Sequence, residues 1–430
     1  MNGPGMRIEP FRALLYNSAI VESLAEVVAP PYDVISAAYQ EELYRRSPYN
    51  VVRLELNRDA DRYGSSARIL REWREREIIV RAPRPAIYLY TQIFTHQGRR
   101  IRRDGLVARI RLEQFSPGRI LPHERTFAAA KEDRLRLLTA TEANLSSIFG
   151  LYSGEHPELE RLRESVAARE PIATVTDDVG IEHRLRAIED RNEIATIQSA
   201  LDKPRVLIAD GHHRYETALE YRRQKRAAEN DPASPRPYDY TMMTLVACND
   251  PGLVILPTHR IVRHLPGEAI ASFATRAREF FAVEKLADPA PLRAKLADAG
   301  PKAVGAVLRG AKAAYILRLS DPAATASAAP HLPEQVRQLD VSILHTLVLE
   351  RIFGLGAAEV GSGDAIEYTI DAAAALEAVA SGRADGAFIL NPPSIRDLER
   401  VCDSAATMPQ KSTYFYPKLL TGLAMNPLSD

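Results

Sequence analysis

The chain has 430 residues, 46% of them hydrophobic and 26% charged, so it is long enough for two or three globular domains with substantial cores. Its 56 basic and 56 acidic residues give a formal net charge of zero, which excludes a bulk electrostatic attraction to nucleic acid or to an anionic membrane. The two cysteines, Cys248 and Cys402, are too few for a disulfide framework or a cysteine-rich zinc site, and they favour a reducing cytoplasm.

The N-terminal pattern and the hydropathy of the chain bear on its location. Residues 1–11 lack the basic-then-apolar pattern of a signal peptide. No stretch reaches the roughly 18 apolar residues that a membrane-spanning helix needs. We therefore expect a cytoplasmic protein with no membrane partner.

Hydrophobic patterning predicts a mixture of strands and helices along the first half of the chain. Alternation at period two predicts a strand at residues 50–56 and a β-hairpin at 85–94 and 100–108. A charged segment at 67–79, with apolar residues at helical spacing, predicts a helix. Further predicted elements are a helix at 131–139, strands at 149–152 and 180–185, helices at 190–201 and 215–229, and strands at 240–248 and 253–256.

Beyond residue 267 the composition shifts toward alanine, which indicates a further α/β region. The predicted elements there are a helix at 270–281, strands at 303–308 and 314–319, a linker at 321–333, a helix at 336–353, a strand at 367–370, a helix at 372–380, a strand at 386–390 and a helix at 395–404. Hairpins argue against a purely parallel sheet, so we expect a mixed α/β fold with a mixed sheet. We expect three domains: a core at 1–266, a small α/β subdomain at 267–330 and a C-terminal α/β region at 331–430 that packs on the core.

The most informative motif is the segment 205–218, RVLIADGHHRYETA. An apolar strand ends in Asp210 and Gly211, and His212, His213 and Arg214 open a helix. Such a turn directs backbone N–H groups and the positive end of the helix dipole outward, which suits a phosphate or a carboxylate. The simpler alternative is a strand, turn and helix whose histidines are satisfied by neighbouring backbone, with Asp210 only stabilising the turn.

A second candidate is the segment 122–126, PHERT. Glu124 is predicted as a general base or a Mg²⁺ ligand, and the alternative is a surface loop with an ion pair. Phosphoryl transfer needs positive charge around the phosphoryl group and a base or metal near the acceptor hydroxyl. The residues predicted for catalysis are His123, Glu124 and Asp210, with Asp210 and Glu124 as Mg²⁺ ligands. The residues predicted to bind phosphate or nucleotide are Arg125, Thr126, Gly211, Arg214, Lys411, Ser412, Thr413 and Lys418.

Predicted turns carry the substrate-binding candidates Tyr32, Asp33 and Asn391. Asp33 follows a double proline, and its alternative role is to cap a helix that starts near Ser36. Asn391 ends an apolar strand, and its alternative role is a simple turn. For the segment 411–418, KSTYFYPK, the alternative to closing over an anion is an aromatic strand packed on the core.

The histidines of these motifs also suggest a metal site. His123, His212, His213 and His259 with Asp210 would supply nitrogen and oxygen ligands for zinc, manganese or iron, although adjacent histidines rarely reach one ion. Neither a Walker-type phosphate loop nor a Gly-x-Ser-x-Gly elbow is present, which argues against P-loop nucleotide binding and a common serine hydrolase.

Five blocks in order resemble the uncharacterised family catalogued as domain of unknown function 1015: PPYDVI at 30–35, PHERT at 122–126, DGHHRYETA at 210–218, PTHR at 257–260 and MPQKSTYFYPK at 408–418. The turn at 210–214 is also similar, more distantly, to one in the ParB/sulfiredoxin superfamily, which includes free-serine kinases. That resemblance implies a ParB/sulfiredoxin-like nucleotide-binding core in which Gly211 permits close backbone approach and Arg214 clamps a phosphate. His212 or His213 would then lie beside the transferred group, so the resemblance implies that both are candidates for catalysis.

The leading hypothesis is a phosphotransferase-like enzyme that uses Mg²⁺ and binds a phosphorylated small molecule or a nucleotide such as ATP, ADP or CTP. It would transfer a phosphoryl group to or from a hydroxyl such as that of serine or phosphoserine, as a kinase or a phosphatase. The alternatives are a non-catalytic nucleotide-binding switch of ParB type and a metal-dependent hydrolase that uses the histidine cluster. Nucleic acid is not a favoured partner because no helix-turn-helix signal follows the motif, and the oligomeric state, including a homo-oligomer, stays open.

Overall fold

The structure, a computed structural model, describes residues 6–115, 118–124, 126, 128–229, 234–311, 313–356, 364–404 and 406–429. Contacts between residues divide the chain into two units. Unit 1 comprises Met1–Pro122, Thr126–Val254 and Pro417–Asp430, and unit 2 comprises His123–Arg125 and Ile255–Tyr416.

The described strands, in chain order, are β1 (Ile8–Glu9), β2 (Leu14–Tyr16), β3 (Ile79–Arg81), β4 (Ile87–His96), β5 (Arg99–Arg111), β6 (Ile120–Leu121), β7 (Ala143–Asn144), β8 (Ile148–Tyr152), β9 (Ala173–Thr176), β10 (Glu182–Ile188), β11 (Val206–Asp210), β12 (Tyr240–Ala247), β13 (Val254–Leu256), β14 (His259–Val262), β15 (Phe281–Leu286), β16 (Ala303–Leu308), β17 (Ala314–Leu319), β18 (Ile366–Thr369), β19 (Gly386–Leu390), β20 (Tyr414–Tyr416) and β21 (Asn426–Pro427).

The described α-helices, in chain order, are α1 (Leu24–Val27), α2 (Ala37–Arg46), α3 (Val52–Glu55), α4 (Arg62–Glu75), α5 (Ala128–Thr141), α6 (Pro157–Ala167), α7 (Arg191–Leu201), α8 (His212–Ala228), α9 (Gly267–Ala277), α10 (Leu292–Ala299), α11 (Ala323–Ala328), α12 (Glu334–Arg337), α13 (Asp340–Ile343), α14 (Ala372–Ala380) and α15 (Ile395–Asp403). Short 3₁₀ turns lie at Tyr32–Val34 and Pro237–Asp239, and a π-helix spans Leu344–Ile352.

Unit 1 is built on a nine-stranded mixed sheet in the order β6-β11-β8-β12-β5-β4-β10-β9, with β1 paired to β5. Strands β6 and β11 run parallel, as do β8 and β12, whereas the other pairs are antiparallel. The predicted hairpin is confirmed as β4 and β5, and Gln97 and Gly98 turn it with φ of 50° and 74°. Two successive positive φ values match the twist of the flanking strands.

An apolar core in unit 1 joins this sheet to helices α6, α7 and α8. Ile197 and Leu201 of α7 are fully buried, and so is Tyr215 of α8. This packing fixes α8 relative to β11, and the two elements are joined by Gly211. The core therefore holds the strand–turn–helix motif in place.

Unit 2 is built on a six-stranded sheet in the order β15-β17-β16-β19-β14-β18, in which all pairs are antiparallel. The predicted strands at 303–308 and 314–319 are confirmed as β16 and β17. Because β16 pairs with β19, the predicted domain boundary at residue 330 falls within one sheet. The mixed α/β fold expected from the sequence is confirmed, with the mixed sheet in unit 1 and an antiparallel sheet in unit 2.

The predicted strand at 50–56 is wrong, since these residues form the short helix α3. Asn50 accepts a hydrogen bond from the Val52 N–H at 3.0 Å and donates to the Glu26 carbonyl at 2.7 Å, which turns the chain into the helix. Val51, Val52 and Leu54 are all buried, as is Glu55. The alternating pattern therefore reflects burial on several sides of one helical turn.

The predicted helix at 336–353 is broken. Leu339 is extended, with φ −72° and ψ 139°, so that α12 ends before it and α13 begins after it. The rest of the segment is the π-helix. The predicted linker at 321–333 contains α11, and the predicted helix at 270–281 ends at Ala277, before β15. None of the helices in the described part of the chain is long and apolar enough to cross a membrane.

Candidate functional site

The site begins at the bend between β11 and α8 in unit 1. Gly211 has φ of +91°, a left-handed conformation that residues with a side chain rarely adopt. A Cβ placed on Gly211 would lie 3.0 Å from Nε and Nη2 of Arg214, because that side chain folds back over the bend. The backbone conformation therefore favours glycine, and a side chain here would also crowd the guanidinium.

Two cations converge on the carboxylate of Asp210. Lys418 Nζ lies 3.1 Å from Oδ1, and Arg214 Nη2 lies 3.0 Å from Oδ2. Arg214 Nη1 donates to the Ser147 carbonyl at 2.5 Å. Burial by itself raises the pKa of Asp210, but Lys418 and Arg214 lower it to about 2. Two cations and one ionised carboxylate leave a net charge of +1 at the start of α8.

Lys418 reaches this bend because its backbone is held by two side chains of the β4–β5 hairpin. The buried guanidinium of Arg103 donates to the Pro417 carbonyl at 2.5 Å and lies over the Phe149 ring at 4.8 Å. Gln92 donates to the Lys418 carbonyl at 2.9 Å. Burial lowers the pKa of Arg103 to about 10, which still leaves it charged at neutral pH.

A small cavity of about 50 Å³ adjoins Arg214, and Glu55, Arg134 and Thr217 are among its lining residues. Glu55 Oε1 accepts from Arg134 Nη1 at 3.3 Å and from the Ser146 hydroxyl at 3.2 Å. Glu55 and Arg134 side chains are only 4% and 7% exposed, which makes this a buried ion pair. Three buried atoms here have no hydrogen-bond partner among the described residues: Glu55 Oε2, Arg214 Nε and Thr217 Oγ1.

A wider cleft of about 460 Å³ shares Glu55 and Arg134 with this cavity and is lined also by Tyr32. The Arg134 guanidinium lies over the Tyr32 ring at 4.2 Å. Burial raises the pKa of Tyr32 to about 12, partly offset by Arg214 and Arg134. Tyr32, a predicted substrate-binding residue, therefore lines a cleft that shares Glu55 and Arg134 with the cavity beside Arg214.

Asp33 is exposed on the 3₁₀ turn. Its alternative role as a helix cap is wrong, because the Ser36 side chain caps α2 by accepting from the Tyr39 N–H at 3.2 Å. The assignment of Asp33 to substrate binding stays a prediction.

The remaining motif residues of unit 1 flank the bend. His212 is buried, with 7% exposure, and His213 is half-buried on the first turn of α8. The Thr126 hydroxyl donates to the Glu216 carboxylate at 2.9 Å, and Lys131 pairs with the same carboxylate at 2.8 Å. Their predicted roles in catalysis and phosphate binding stay predictions, and Arg125 lies outside the described residues.

The other predicted residues lie in unit 2. His123 is fully buried, its Nε2 is 3.0 Å from the Thr413 hydroxyl, and its carbonyl accepts from the Met408 N–H at 2.7 Å. Glu124 forms a parallel β-bridge with Met408. Glu124 also raises the pKa of the fully buried Arg260, although burial lowers that pKa overall to about 10.

Several polar groups of unit 2 are bound to backbone. The Ser412 hydroxyl donates to the Pro409 carbonyl, and the Lys411 carbonyl accepts from Arg260 Nη2 at 3.1 Å. Asn391 donates its amide protons to the carbonyls of Leu296 at 3.0 Å and Gly300 at 2.9 Å. The Asn391 contacts support a turn, which is the simpler interpretation of that residue.

The structure thus brings together the predicted residues Asp210, Gly211, Arg214 and Lys418. Glu55, Arg134 and Thr217 were missed. Glu55 lies in the segment 50–56, which its alternating pattern predicts as a strand. Arg134 lies in the predicted helix at 131–139, to which the sequence assigned no function, and its partner Glu55 is 79 positions away in the chain.

No group of three or more histidine, cysteine, aspartate or glutamate side chains is placed to hold a metal ion in the part of the chain that the structure describes. Both Asp210 oxygens are engaged by cations, an arrangement that does not suit a Mg²⁺ ligand. We therefore derive no step through a metal at Asp210, and the metal-dependent hydrolase has no support from this geometry.

A family model described as a protein of unknown function (DUF1015) matches residues 8–342. The chain belongs to this family. No curated protein matches. Membership confirms the resemblance carried by the five sequence blocks, and it brings no activity with it.

Several solved structures are similar to the chain. A free serine kinase mutant in complex with ADP has 13% sequence identity and a TM-score of 0.36, covering 72% of this chain and 89% of that one. A conserved hypothetical protein from Pyrococcus furiosus has 14% identity and a TM-score of 0.33, covering 70% and 89%. SbnI with a C-terminal truncation, from Staphylococcus aureus, has 11% identity and a TM-score of 0.34, covering 72% and 84%. TM-scores this low establish neither a ligand nor a reaction for this chain.

Proposed function

We propose that this chain binds a nucleotide or a phosphorylated small molecule at the bend before α8 and transfers a phosphoryl group to or from a hydroxyl. The observation that carries the proposal is the convergence of Arg214 and Lys418 on the N-terminus of a 17-residue helix. Their charges exceed that of Asp210 by one, so the bend attracts an anion.

The backbone favours the same ligand. The first N–H groups of a helix have no partner within the helix, and the helix dipole adds about half a positive charge at this end. Gly211 has no side chain that could cap these groups, and its small size lets an anion approach the backbone closely. A phosphate is held by such amides together with a guanidinium fork.

Phosphoryl transfer depends mainly on positioning and on positive charge around the transferred group, and both cations are positioned here. Arg214 is tied to Asp210 and Ser147, and the backbone beside Lys418 is tied by Arg103 and Gln92. A site that is rigid before the ligand arrives loses little entropy on binding. Serine and phosphoserine are the first acceptor and donor to test, and the direction of transfer is part of the test.

The test combines thermal-shift and turnover measurements. Pyrophosphate, phosphoserine, ATP, ADP and CTP are added with and without Mg²⁺, and transfer from each nucleotide to serine is followed by ³¹P NMR. A ligand at about 100 times its Kd stabilises the folded state by about 2.7 kcal/mol. We expect this stabilisation for at least one phosphate compound, together with formation of a phosphate ester.

The matched variants lie on the same helix. Arg214→Ala should lose the stabilisation, whereas Arg223→Ala should keep it, because the Arg223 side chain is 71% exposed and pairs with Glu220 on the same helix. If the ligand still stabilises Arg214→Ala, it does not bind at the bend before α8, and the proposed site is wrong. Binding without any turnover would favour a non-catalytic nucleotide switch over an enzyme.

A further inference from the structure

Three buried polar atoms belong to residues that line one cavity of about 50 Å³ in unit 1. They are Glu55 Oε2, Arg214 Nε and Thr217 Oγ1, and none has a hydrogen-bond partner in the described part of the chain. Glu55 is 5% exposed and Thr217 is 3% exposed. Because folded proteins pair nearly all their buried polar groups, three unpaired groups on residues that line one cavity indicate a site for a polar ligand.

The three atoms define the chemistry of that ligand. A carboxylate oxygen accepts a hydrogen bond, a guanidinium Nε–H donates one, and a threonine hydroxyl does either. An anion would be repelled by Glu55, and a metal cation would be repelled by Arg134 and Arg214. A hydroxyl group donates one hydrogen bond and accepts others, so it can satisfy the carboxylate and the guanidinium at the same time.

The size of the cavity and the cleft beside it further restrict which hydroxyl compounds could bind. Its volume fits the hydroxymethyl end of a molecule and excludes a sugar or an aromatic ring. The cleft of about 460 Å³ lined by Tyr32 shares Glu55, Arg134 and Leu137 with the cavity. The body of a small primary alcohol would therefore lie in the cleft while its hydroxyl enters the cavity.

Arg214 connects this cavity to the phosphate-binding bend. Its Nη2 faces Asp210 beside Gly211, and the same guanidinium carries the unpaired Nε. A phosphoryl group at the bend and a hydroxyl in the cavity would thus contact one guanidinium. Glu55 Oε1 is held by Arg134 and Ser146, so that the other oxygen is the one available to a ligand.

We infer that this cavity is the acceptor subsite of the proposed phosphoryl transfer, on which the inference rests, and that Glu55 accepts the proton of the acceptor hydroxyl. The O–H bond of a small primary alcohol breaks as its proton moves to Glu55 Oε2. The alcohol oxygen forms a bond to the terminal phosphorus of a nucleoside di- or triphosphate. The bond from that phosphorus to the bridging oxygen breaks, and the electron pair leaves with the shortened nucleotide.

The first experiment measures transfer to serine and ethanolamine in Glu55→Gln, with Glu164→Gln as the control. Glu164 is 68% exposed and pairs with Arg102. Glutamine keeps the hydrogen-bonding shape of Glu55 but cannot take a proton, so the transfer rate should fall by roughly 100-fold or more, the range for general base catalysis. Stabilisation by pyrophosphate should persist. A wild-type transfer rate in Glu55→Gln, or a large loss in Glu124→Gln instead, overturns the assignment of the base.

The second experiment uses Thr217→Val, which removes an unpaired buried hydroxyl at nearly constant volume. The melting temperature should stay the same or rise, and the KM for the alcohol should rise by about fivefold, the equivalent of one lost hydrogen bond. A lower melting temperature with an unchanged KM means that the hydroxyl serves the fold, which overturns the subsite. If Glu55→Gln does not fold, the KM of Thr217→Val alone tests whether the cavity binds the acceptor alcohol.

The third measurement separates the subsite from the proposed function. Ligand-observed NMR detects binding of ethanolamine and serine without any nucleotide, in wild type and in both variants. If the wild type transfers no phosphoryl group but binds these alcohols through Glu55 and Thr217, the proposed function fails and the subsite stands. If the wild type transfers phosphoryl groups but the variants bind and react normally, the subsite fails and the proposed function stands.

Discussion

The bend of unit 1 and the turns of unit 2 that carry Ser412 and Asn391 both place polar side chains beside a turn, but these side chains differ in what they contact. At the bend, Asp210, Arg214 and Lys418 contact one another at a half-buried surface, and Arg214 Nε is unpaired among the described residues. In unit 2, Ser412 and Asn391 donate to backbone carbonyls. Side chains that support turns have less capacity for a ligand than charged side chains with unpaired atoms beside a cleft.

This difference shows why residue type alone does not identify a site. Lysine, serine and asparagine beside a turn are equally compatible with a ligand and with a backbone carbonyl. What separates the two cases is whether polar atoms remain unpaired after folding. The cavity lined by Glu55, Arg214 and Thr217 meets that criterion.

The largest effect should come from the buried ion pair under the bend. Arg134→Met leaves the Glu55 carboxylate buried without its cation, so the free energy of unfolding should fall by about 3–5 kcal/mol. Chemical denaturation followed by circular dichroism measures it. Arg68→Met is the control, because Arg68 is 65% exposed and lies 3.6 Å from Asp59, and its loss should cost less than about 0.5 kcal/mol. If both variants lose the same free energy of unfolding, Glu55 and Arg134 do not form a buried ion pair beside the cavity.

An intermediate effect is expected for the charge of Asp210. Its pKa in the folded protein is about 2, below the usual 3.8, so its contribution is present above about pH 4 and is lost as pH falls toward 2. Asp210→Asn should lower the free energy of unfolding at pH 7 by about 2 kcal/mol. It should also weaken the dependence of stability on pH in that window. An unchanged acid profile in the variant would show that the two cations do not hold this carboxylate.

The smallest effects should come from the turn residues of unit 2. Asn391→Ala removes two hydrogen bonds to backbone and should cost about 1–2 kcal/mol, and Ser412→Ala should cost about 1 kcal/mol. Stabilisation by phosphate compounds should be the same as in the wild type. Thermal shifts with and without pyrophosphate test this. If pyrophosphate no longer stabilises one of these variants, the substituted residue has its predicted role in binding. The turns of unit 2 would then not differ from the bend in ligand binding.

Local sequence was sufficient for the strand–turn–helix motif. An apolar run, Asp210, Gly211 and a polar helix start are adjacent in the chain, so the turn and its glycine could be predicted without knowing the fold. The hairpin of β4 and β5 is similar, because alternation and a glycine turn are local features.

Contacts between distant residues were not predictable. Lys418 lies 208 positions from Asp210, and although the sequence marked both residues, nothing in it indicated that they pair. Glu55 was missed because three buried residues of the short helix α3 imitate the alternation of a strand. Its significance depends on Arg134 and Thr217, which only the folded chain brings around one cavity.

The most direct test is calorimetric titration of pyrophosphate into the wild type, Arg214→Ala, Lys418→Met and Arg223→Ala at fixed ionic strength. Arg214→Ala and Lys418→Met should each weaken binding by at least about tenfold, because each removes a charge-assisted contact to the anion. Arg223→Ala should bind like the wild type. Equal affinity in all four proteins, or no binding to the wild type, would contradict an anion site at the bend before α8.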